Sequence, residues 1–293
     1  MYELVQVTEN TYYIHSPAKI GLVKLDGGNV CLIDSGNDKD AGRKVKKLLD
    51  ANGWHLSAVY NTHSNADHIG GNKYLQDSTG CRVYALGTEC AFTRHPVLEP
   101  SFLYGGYPVK ELRHKFLMAQ ESTAEYLTPD VLPEGFSMID LPGHFFSMAG
   151  FRTPDEVVFL ADCLSSRETL CKYRITFIYD VGAYISTLET VKAMNARMFV
   201  PSHAEPTADI SDLAQYNIDA VNEIADDITR ICRTPMNFDR ILRIIFDKYG
   251  LTMNWEQYVL AGSTVRSYLA WLKECGRANA FFDGNMLWWK AVK

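Results

Sequence analysis

Side chains that can ligate a metal follow short apolar runs at four places in this sequence. Histidine is the commonest metal ligand, and carboxylates join it at hydrolytic zinc and iron centres. Strand ends and tight turns hold such side chains rigidly, so these four places are where metal ligands are expected. The candidate ligands are His63, Asp67 and His68 in NTHSNADHIGGN, His144 in LPGH, Asp162 after the run 157–161, and His203 in VPSH.

Each candidate also has a purely structural explanation when it is considered alone. A single histidine after a strand is usually a surface or capping residue, and Asp162 alone would cap the segment that follows it. Cys163, next to Asp162, points to the opposite face of a continuing strand and is interpreted as core. The joint pattern is therefore what favours metal chemistry.

Taken together, these motifs resemble the metallo-β-lactamase superfamily. The signature of that superfamily is HxHxDH after a strand, followed by a histidine, an aspartate and a last histidine. Here residues 63–68 (HSNADH) agree with this signature at five of the six positions, counting the two free x positions, and differ only at Asn65. The later histidine, aspartate and last histidine follow in the same order. The run LIDSG at 32–36 is similar to the upstream LIDxG element. The resemblance covers approximately residues 5–205.

The resemblance implies an α/β fold, an αββα sandwich with the metals at one edge of its two sheets. It also implies a role for each candidate residue. Asp34 would support the metal loop without touching a metal, and Asp67 would orient the attacking water. By this resemblance, His63 and His144 hold the first metal, Asp67, His68 and His203 hold the second, and Asp162 bridges the two.

Asn65 departs from the family pattern because it replaces the third histidine of the first metal site. An amide oxygen is a weak, neutral and hard ligand, poorly suited to zinc beside imidazole. We therefore expect one tightly bound Zn²⁺ and a second, weaker one, with Asn65 adding at most a weak oxygen or holding a water. Iron and manganese stay open, because histidine and carboxylate ligands suit them as well.

The favoured function is a metal-dependent hydrolase that uses a metal-activated water on a small ester, thioester, lactone or amide. Bound Zn²⁺ lowers the pKa of water from 15.7 to about 7. Two alternatives remain: a nucleic-acid-processing or nucleic-acid-binding protein of the same fold, and a non-catalytic metal-binding variant, which only Asn65 suggests. Strong salt-sensitive binding to nucleic acid would favour the first alternative, and metal binding without turnover the second.

The elements that must position these residues alternate between strands and helices. A helix is also predicted at 110–120, inside an aromatic-rich excursion at 93–135 that we interpret as a lid-like insertion. The predicted strands are 12–15, 19–24, 30–33, 58–61, 82–86, 138–141, 148–152, 157–161 and 198–200, and the other predicted helices are 41–49, 70–76, 184–195 and 210–232.

The predicted domains are a metallo-β-lactamase-like domain at 1–235 and a C-terminal module at 236–293. In this module, two helical patterns precede a hairpin signal at Asp283 and Gly284, an order similar to a small winged-helix module. Its basic residues outnumber its acidic ones only slightly, so packing or dimerisation is the favoured role, and a homo-oligomer is left open.

Composition limits the class of protein. The 293 residues are 47% hydrophobic and 22% charged, with a net charge of −6, which argues against nucleic acid as the main partner. No apolar run is long enough to span a membrane, and no signal peptide is visible. The seven cysteines form no CxxC pair and are expected to be reduced thiols. We therefore expect a cytoplasmic protein with a small-molecule substrate.

Overall fold

The structure, a computed structural model, describes residues 2–292, which form two compact units. The first unit comprises residues up to 142 together with 146–164 and 194–210. The second unit comprises 143–145, 165–193 and the residues from 211 onward. The predicted domain boundary at 235 falls inside the second unit and stays a prediction.

The first unit contains two β-sheets and five α-helices. Its strands are β1 Glu3–Gln6, β2 Thr11–His15, β3 Ile20–Lys24, β4 Asn29–Ile33, β5 His55–Tyr60, β6 Arg82–Ala85, β7 Glu125–Tyr126, β8 Ser137–Asp140, β9 Ala149–Arg152, β10 Val157–Ala161 and β11 Met198–Pro201. Its helices are α1 Lys39–Ala51, α2 Ala66–Ile69, α3 Asn72–Thr79, α4 Glu89–Arg94 and α5 Leu98–Tyr104.

The larger sheet has the order β1 to β7, antiparallel as far as β4 and parallel from β4 to β7. The smaller sheet has the order β11-β10-β9-β8, in which only β10 and β11 are parallel. Successive side chains of a strand point to opposite faces, so a strand buried on both faces is apolar throughout. In β4, Cys31 and Ile33 join the core shared with the smaller sheet, whereas Val30 and Leu32 join a core under α1 and α3.

The parallel registers explain why the loops that carry candidate residues lie side by side within each sheet. Ile33 of β4 lies opposite Tyr60 of β5, so Asp34 comes out of the sheet beside Asn61 and Thr62. In the smaller sheet, Ala161 lies opposite Pro201, and the amide of Ser202 donates to the carbonyl oxygen of Ala161. Because parallel strands end at the same edge, Asp162 and His203 become neighbours.

The loop after β5 is held closely against the loop after β4 by a glycine. A Cβ at Gly71 would lie 2.3 Å from the carbonyl oxygen of Ser35 and 3.2 Å from the Cα of Gly42. Any larger residue would push the metal-loop sequence away from Asp34. The Gly-Gly pair of NTHSNADHIGGN is therefore a packing requirement.

The structure contradicts the predicted helix at 110–120. Only a 3₁₀ turn at Lys110–Leu112 forms there. The two buried anchors of this segment, Leu112 and Leu117, stand five positions apart. Residues at that spacing do not share one face of an α-helix, so burying both favours an irregular chain over the helix that local propensity indicates.

The second unit is mainly helical and ends in a β-hairpin. Asp180, Asn237 and Asn254 each cap a helix by accepting a hydrogen bond from a backbone amide of the first turn. The hairpin turns at Gly284 and Asn285, both at positive φ, as a tight two-residue turn requires. Its elements are α6 Arg167–Tyr173, α7 Val181–Lys192, α8 Ser211–Ile231, α9 Phe238–Tyr249, α10 Trp255–Glu274, β12 Ala278–Asp283 and β13 Met286–Ala291.

Two helices of this unit meet at one buried acid. The carboxylate of Asp227 on α8 pairs with Arg230 of the same helix and with Lys248 and Tyr249 of α9. No helix within residues 2–292 combines the length and the apolar composition that crossing a bilayer requires. All seven cysteines are free thiols, and five of them are buried.

Candidate metal centre

Asp34 organises the loops at the edge of the larger sheet. Its Oδ1 accepts a hydrogen bond from the Thr62 amide at 2.8 Å, and its Oδ2 accepts from the Thr62 hydroxyl at 2.8 Å. The same Oδ2 lies 2.8 Å from Nδ1 of His68. Asp34 has a φ of +66°, a left-handed conformation that Asp and Asn tolerate better than most residues. The carboxylate therefore holds both a backbone amide and an imidazole in place.

These bonds fix which nitrogen of each imidazole carries the proton. A carboxylate only accepts, so Nδ1 of His68 is the donor and Nε2 faces inward. The Thr62 hydroxyl gives its proton to Asp34 and can therefore only accept from Nδ1 of His63, 3.0 Å away. His63 is thereby held in the same tautomer through one intervening hydroxyl. Hydrogen bonds of this kind are how proteins present Nε2 to a metal.

His203 is oriented in the same way from the smaller sheet. Its Nδ1 lies 3.0 Å from the carbonyl oxygen of Pro17, which can only accept. Its Nε2 lies 3.1 Å from Oδ2 of Asp162 and 3.2 Å from Oδ2 of Asp67. The side chain of Asp162 is only 12% exposed, whereas that of Asp67 is 37% exposed. Asp67 therefore forms the side of the cluster that a small molecule can reach.

The four side chains offer a compact set of ligand atoms. One ligand atom from each of Asp67, His68, Asp162 and His203 lies within 4.8 Å of all the others. Nε2 of His68 is buried 3.2 Å from Oδ1 of Asp162 without a hydrogen bond, and residues 2–292 supply no other hydrogen-bond partner. A buried polar atom with no hydrogen bond is costly. Two imidazoles and two carboxylates around such an atom fit a divalent cation.

The electrostatics of the cluster also favour a cation. Burial opposes a charge on His68, but the surrounding carboxylates outweigh burial and hold its pKa well above the usual range. Burial likewise opposes a charge on His203, and the carboxylates raise its pKa to about 10. The pKa of Asp162 is held well below its usual range, against burial, by the two imidazoles. Without a metal the site thus retains protons where a cation would lie, and binding an ion must release them.

The comparisons with known proteins establish the family and the fold. The family model of the metallo-beta-lactamase superfamily matches residues 16–203, which is more than half of the chain. The chain belongs to this superfamily. The predicted fold class is therefore confirmed: a mixed α/β fold with two sheets and C-terminal helices.

Two solved structures show the superfamily fold along the chain. A beta-lactamase domain protein from Burkholderia ambifaria gives a TM-score of 0.76 at 15% identity, covering 99% of this chain and 94% of that one. A metallo-beta-lactamase family protein from Thermus thermophilus gives 0.70 at 16% identity, covering 100% and 98%. At these identities the likeness establishes the fold.

The curated relatives match shorter segments. A hydroxyacylglutathione hydrolase from Methylococcus capsulatus is 54% identical over 39 residues, which are 13% of this chain and 15% of that protein. Another, from Cereibacter sphaeroides, is 29% identical over 124 residues, which are 41% and 38%. The chain thus spans less than two-fifths of the length of either relative.

Asn65, the residue at which the chain departs from the superfamily signature, forms a hydrogen bond with Glu99. Nδ2 of Asn65 donates to Oε1 of Glu99 at 2.8 Å, and Glu99 is 5% exposed. Nearby, His63 and Asp162 offer ligand atoms within 4.8 Å of each other. His63 and Asp162 therefore lie close together, whereas the contact recorded for the Asn65 side chain is with Glu99. The assignment of ligands to a first metal stays a prediction.

His144 is described within the second unit, to which residues 143–145 belong. Its Nδ1 lies 3.1 Å from the carbonyl oxygen of Phe177, so this imidazole is also held with Nε2 as the acceptor. Gly143 has a φ of +119°, and a Cβ there would lie 2.3 Å from the amide nitrogen of Tyr184. His144 is therefore oriented as a ligand would be, and its role at the first metal stays a prediction.

Three residues of this region were missed from the sequence: Thr62, Glu89 and Glu99. Oε2 of Glu89 accepts from the amide and hydroxyl of Ser64 at 2.9 and 2.6 Å, and its Oε1 accepts from the amide of Ser147 at 2.8 Å. Burial raises the pKa of Glu89 to about 7. For Glu89, the sequence offered one signal of burial: the acid begins the segment ECAF, whose other residues are apolar.

The excursion at 93–135 contacts the metal edge of the first unit at several points. Nζ of Lys115 lies 2.8 Å from Oδ2 of Asp38, which caps α1 directly after the Asp34 loop. The ring of Phe102 packs edge-on against that of Phe146, with centroids 5.0 Å apart. These contacts join the excursion to the start of α1 and to Phe146, and its lid role stays a prediction.

Proposed function

We propose that the protein is a metal-dependent hydrolase that cleaves a small thioester or related ester. The observation that carries this proposal is the cluster of Asp67, His68, Asp162 and His203. Its imidazole tautomers are fixed by outside acceptors, and its ligand atoms face one another. The position of His144 in the family pattern makes it the expected further ligand beside His63.

The residues of the cluster have different roles in the proposed hydrolysis. When bound, a divalent ion, for which zinc is our first choice, supplies Lewis acidity and lowers the pKa of a water molecule to about 7. Asp67, the more exposed of the two carboxylates, orients the attacking water and accepts a hydrogen bond from it. Asp162 presents one oxygen beside His68 and the other beside His203, so it would contribute a ligand atom to the ion. Asp34 holds the tautomer of His68 throughout turnover.

The choice of a thioester rests on the relatives. Curated proteins that match segments of this chain are named hydroxyacylglutathione hydrolase. A 2-hydroxyacyl thioester of glutathione is therefore the first substrate to test, with simple esters, lactones and amides as the wider panel. Two of the exposed aromatic side chains of the excursion, Tyr107 and Phe116, are candidates for contacts to the part of the substrate beyond the scissile bond.

The test is a hydrolysis assay on the full-length protein loaded with zinc. Release of free thiol is followed for the thioester, and acid release for the other compounds. We expect thioester turnover that a chelator abolishes and added metal restores. His68→Ala should remove turnover, whereas His95→Ala, which changes a histidine outside the cluster, should not. Metal binding without turnover of any compound in the panel would contradict the hydrolase and support a metal-binding protein.

A further inference from the structure

The β12–β13 hairpin of the second unit exposes large apolar side chains on both of its faces. Its base lies against α8, α9 and α10, where Ala278 is only 1% exposed. Beyond the base, Phe282 is 80% exposed, and Phe281, Met286 and Leu287 are exposed as well. Apolar side chains concentrated in this way mark a surface that binds a partner.

One edge of this hairpin has no strand beside it. The amides of Trp289 and Met236 each donate to the carbonyl oxygen of the other, so the backbone of Trp289 faces away from β12. Ala280 lies opposite Trp289 in the ladder. Facing pairs in an antiparallel ladder alternate between bonded and non-bonded, so the backbone groups of Ala280 must face away from β13, as must those of Ala278 and Phe282. Within residues 2–292, no strand pairs with this edge of β12.

The open edge also lacks the features that prevent strand pairing in other proteins. Sheet edges are normally protected by proline, by a bulge or by charged side chains. The strand β12, with the sequence ANAFFD, contains no proline and pairs with β13 without a shift in register. Its one charge is Asp283 at its end. An edge of this kind, beside exposed aromatic side chains, fits another β-strand.

We propose that β12 pairs antiparallel with β12 of a second copy of this chain, so that two hairpins form a four-stranded sheet about a two-fold axis. Antiparallel pairing of a strand with itself is self-complementary, as a two-fold interface requires. The inference does not depend on the metal centre or on the proposed hydrolysis.

The directions of the backbone groups select the register of this pairing. With Ala280 on the axis, it faces its own counterpart, and Ala278 faces Phe282 of the second copy. All of these residues have backbone groups on the open edge, so each facing pair can exchange hydrogen bonds. Placing Phe281 on the axis instead would set Ala278 against Gly284 in the turn, and its bonds would be lost. The register centred on Ala280 therefore satisfies more of the edge.

The charges at the two ends of β12 agree with this register. Arg277 would face Asp283 of the second copy in a non-bonded pair, where facing side chains lie closest together. Nη2 of Arg277 donates to Asp226 and Thr229, but a guanidinium group has five N–H donors and can bind a further carboxylate. Opposite charges that face each other stabilise a strand pair, and the two-fold axis places one such pair at each end of the interface.

The order of residues in the hairpin argues against a membrane surface as the partner. The turn joining the strands is Asp283-Gly284-Asn285, and this polar tip would enter a bilayer first. A carboxylate inside a membrane is costly. The apolar side chains lie on the strands behind the turn, where a second hairpin would cover them.

Sedimentation equilibrium of the full-length protein at about 1 to 200 µM tests the pairing. We expect the wild type to be in equilibrium between monomer and dimer. Ala280→Pro removes an N–H on the open edge and leaves the bonds to β13 intact, so the dimer should weaken at least about tenfold. Phe282→Ser should have a similar effect, because each dimer loses two exposed aromatic side chains. Ala280→Ser keeps the N–H and is the matched control, and thermal unfolding confirms that the variants fold.

Disulfide crosslinking tests the register. The background is Cys171→Ser with Cys275→Ser, which removes both exposed thiols. In this background, diamide should join Ala280→Cys to its counterpart, because facing Cα atoms of a bonded pair lie about 5.5 Å apart, within disulfide range. Asn279→Cys, which would face Phe281 of the second copy, should not crosslink.

Three results would overturn the inference: a monomer at every concentration, a dimer that neither Ala280→Pro nor Phe282→Ser weakens, and crosslinking at position 279 but not at 280. A monomer that bound phosphatidylserine vesicles, and lost this binding in Phe282→Ser, would overturn it in favour of a membrane surface. Loss of the dimer in both variants, with the control unchanged and crosslinking at position 280, would support it.

Discussion

Asp34→Asn is the sharpest perturbation of the centre, because it keeps the shape of the side chain and removes one acceptor. The wild-type carboxylate accepts three hydrogen bonds, two from Thr62 and one from His68. If the new NH₂ group faces His68, the imidazole must shift its proton to Nε2, the atom that faces the cluster. If it faces the amide of Thr62, two donors oppose each other. Asparagine also tolerates the φ of +66° at this position, which alanine would not.

The expected magnitude follows from these contacts. Leaving one buried donor without an acceptor costs about 1–3 kcal/mol. Since about 1.4 kcal/mol is a factor of ten, the metal affinity of the second site should fall roughly 10- to 100-fold, the usual effect of removing a partner behind a metal ligand. Because the Thr62 hydroxyl connects Asp34 to His63, the first site should weaken as well.

A matched variant separates the two sites. Thr62→Val keeps the volume and the backbone amide but removes the hydroxyl that holds the tautomer of His63. It should weaken the first metal and leave the second near its wild-type affinity. The assay is chelator competition with zinc, with both binding steps resolved for the wild type and each variant. The reasoning would be refuted if Asp34→Asn changed neither affinity by more than about twofold, or if Thr62→Val affected mainly the second site.

Three further predictions address the departure in the signature, the buried acid behind the loop, and the excursion. The wild type should bind one zinc tightly and a second only at high concentration. Asn65→His should raise the affinity for the second zinc. Two equally tight zinc sites in the wild type would show that Asn65 does not weaken the first site. Burial raises the pKa of Glu89 from 4.5 to about 7, so this carboxyl favours the fold below about pH 4.5, and that contribution is lost as the pH rises through 7. The free energy of unfolding of the wild type relative to Glu89→Gln should therefore fall by about 3 kcal/mol between about pH 4 and pH 9 in urea denaturation; a constant difference would contradict it. Tyr107→Ala and Phe116→Ala should change KM across the substrate panel with normal metal content, and unchanged specificity in both would argue against a lid.

The strand ends and their ligands were predictable because they depend on local patterns. The run 157–161 is apolar throughout and is followed by Asp162, and the observed strand has the same bounds. The motif HSNADH follows a strand that the structure places at His55–Tyr60, slightly earlier than predicted. Parallel strands then bring their carboxyl ends together without further information. This is why Asp162 and His203 could be expected to be neighbours, whereas their meeting with His68 from the other sheet was implied by the family resemblance.

The contacts behind the ligands could not be predicted, because they join residues far apart in the chain. Glu99 meets Asn65 across 34 positions, and Thr62 carries no signal that its hydroxyl connects Asp34 to an imidazole. The helix predicted at 110–120, inside the excursion, was wrong for a related reason. Leu112 and Leu117 are buried by the rest of the fold, and their spacing overrides the helical propensity of the segment between them.

The measurement that tests the central claim most directly is the metal content of the purified protein and of His68→Ala, determined together with thioester hydrolysis. His68 is buried, its tautomer is fixed by Asp34, and its Nε2 lies among the carboxylates of the cluster. We predict that the wild type carries at least one tightly bound metal, and that His68→Ala loses that metal and the hydrolysis in parallel. A His68→Ala variant that retained its full metal content would contradict this account of the centre.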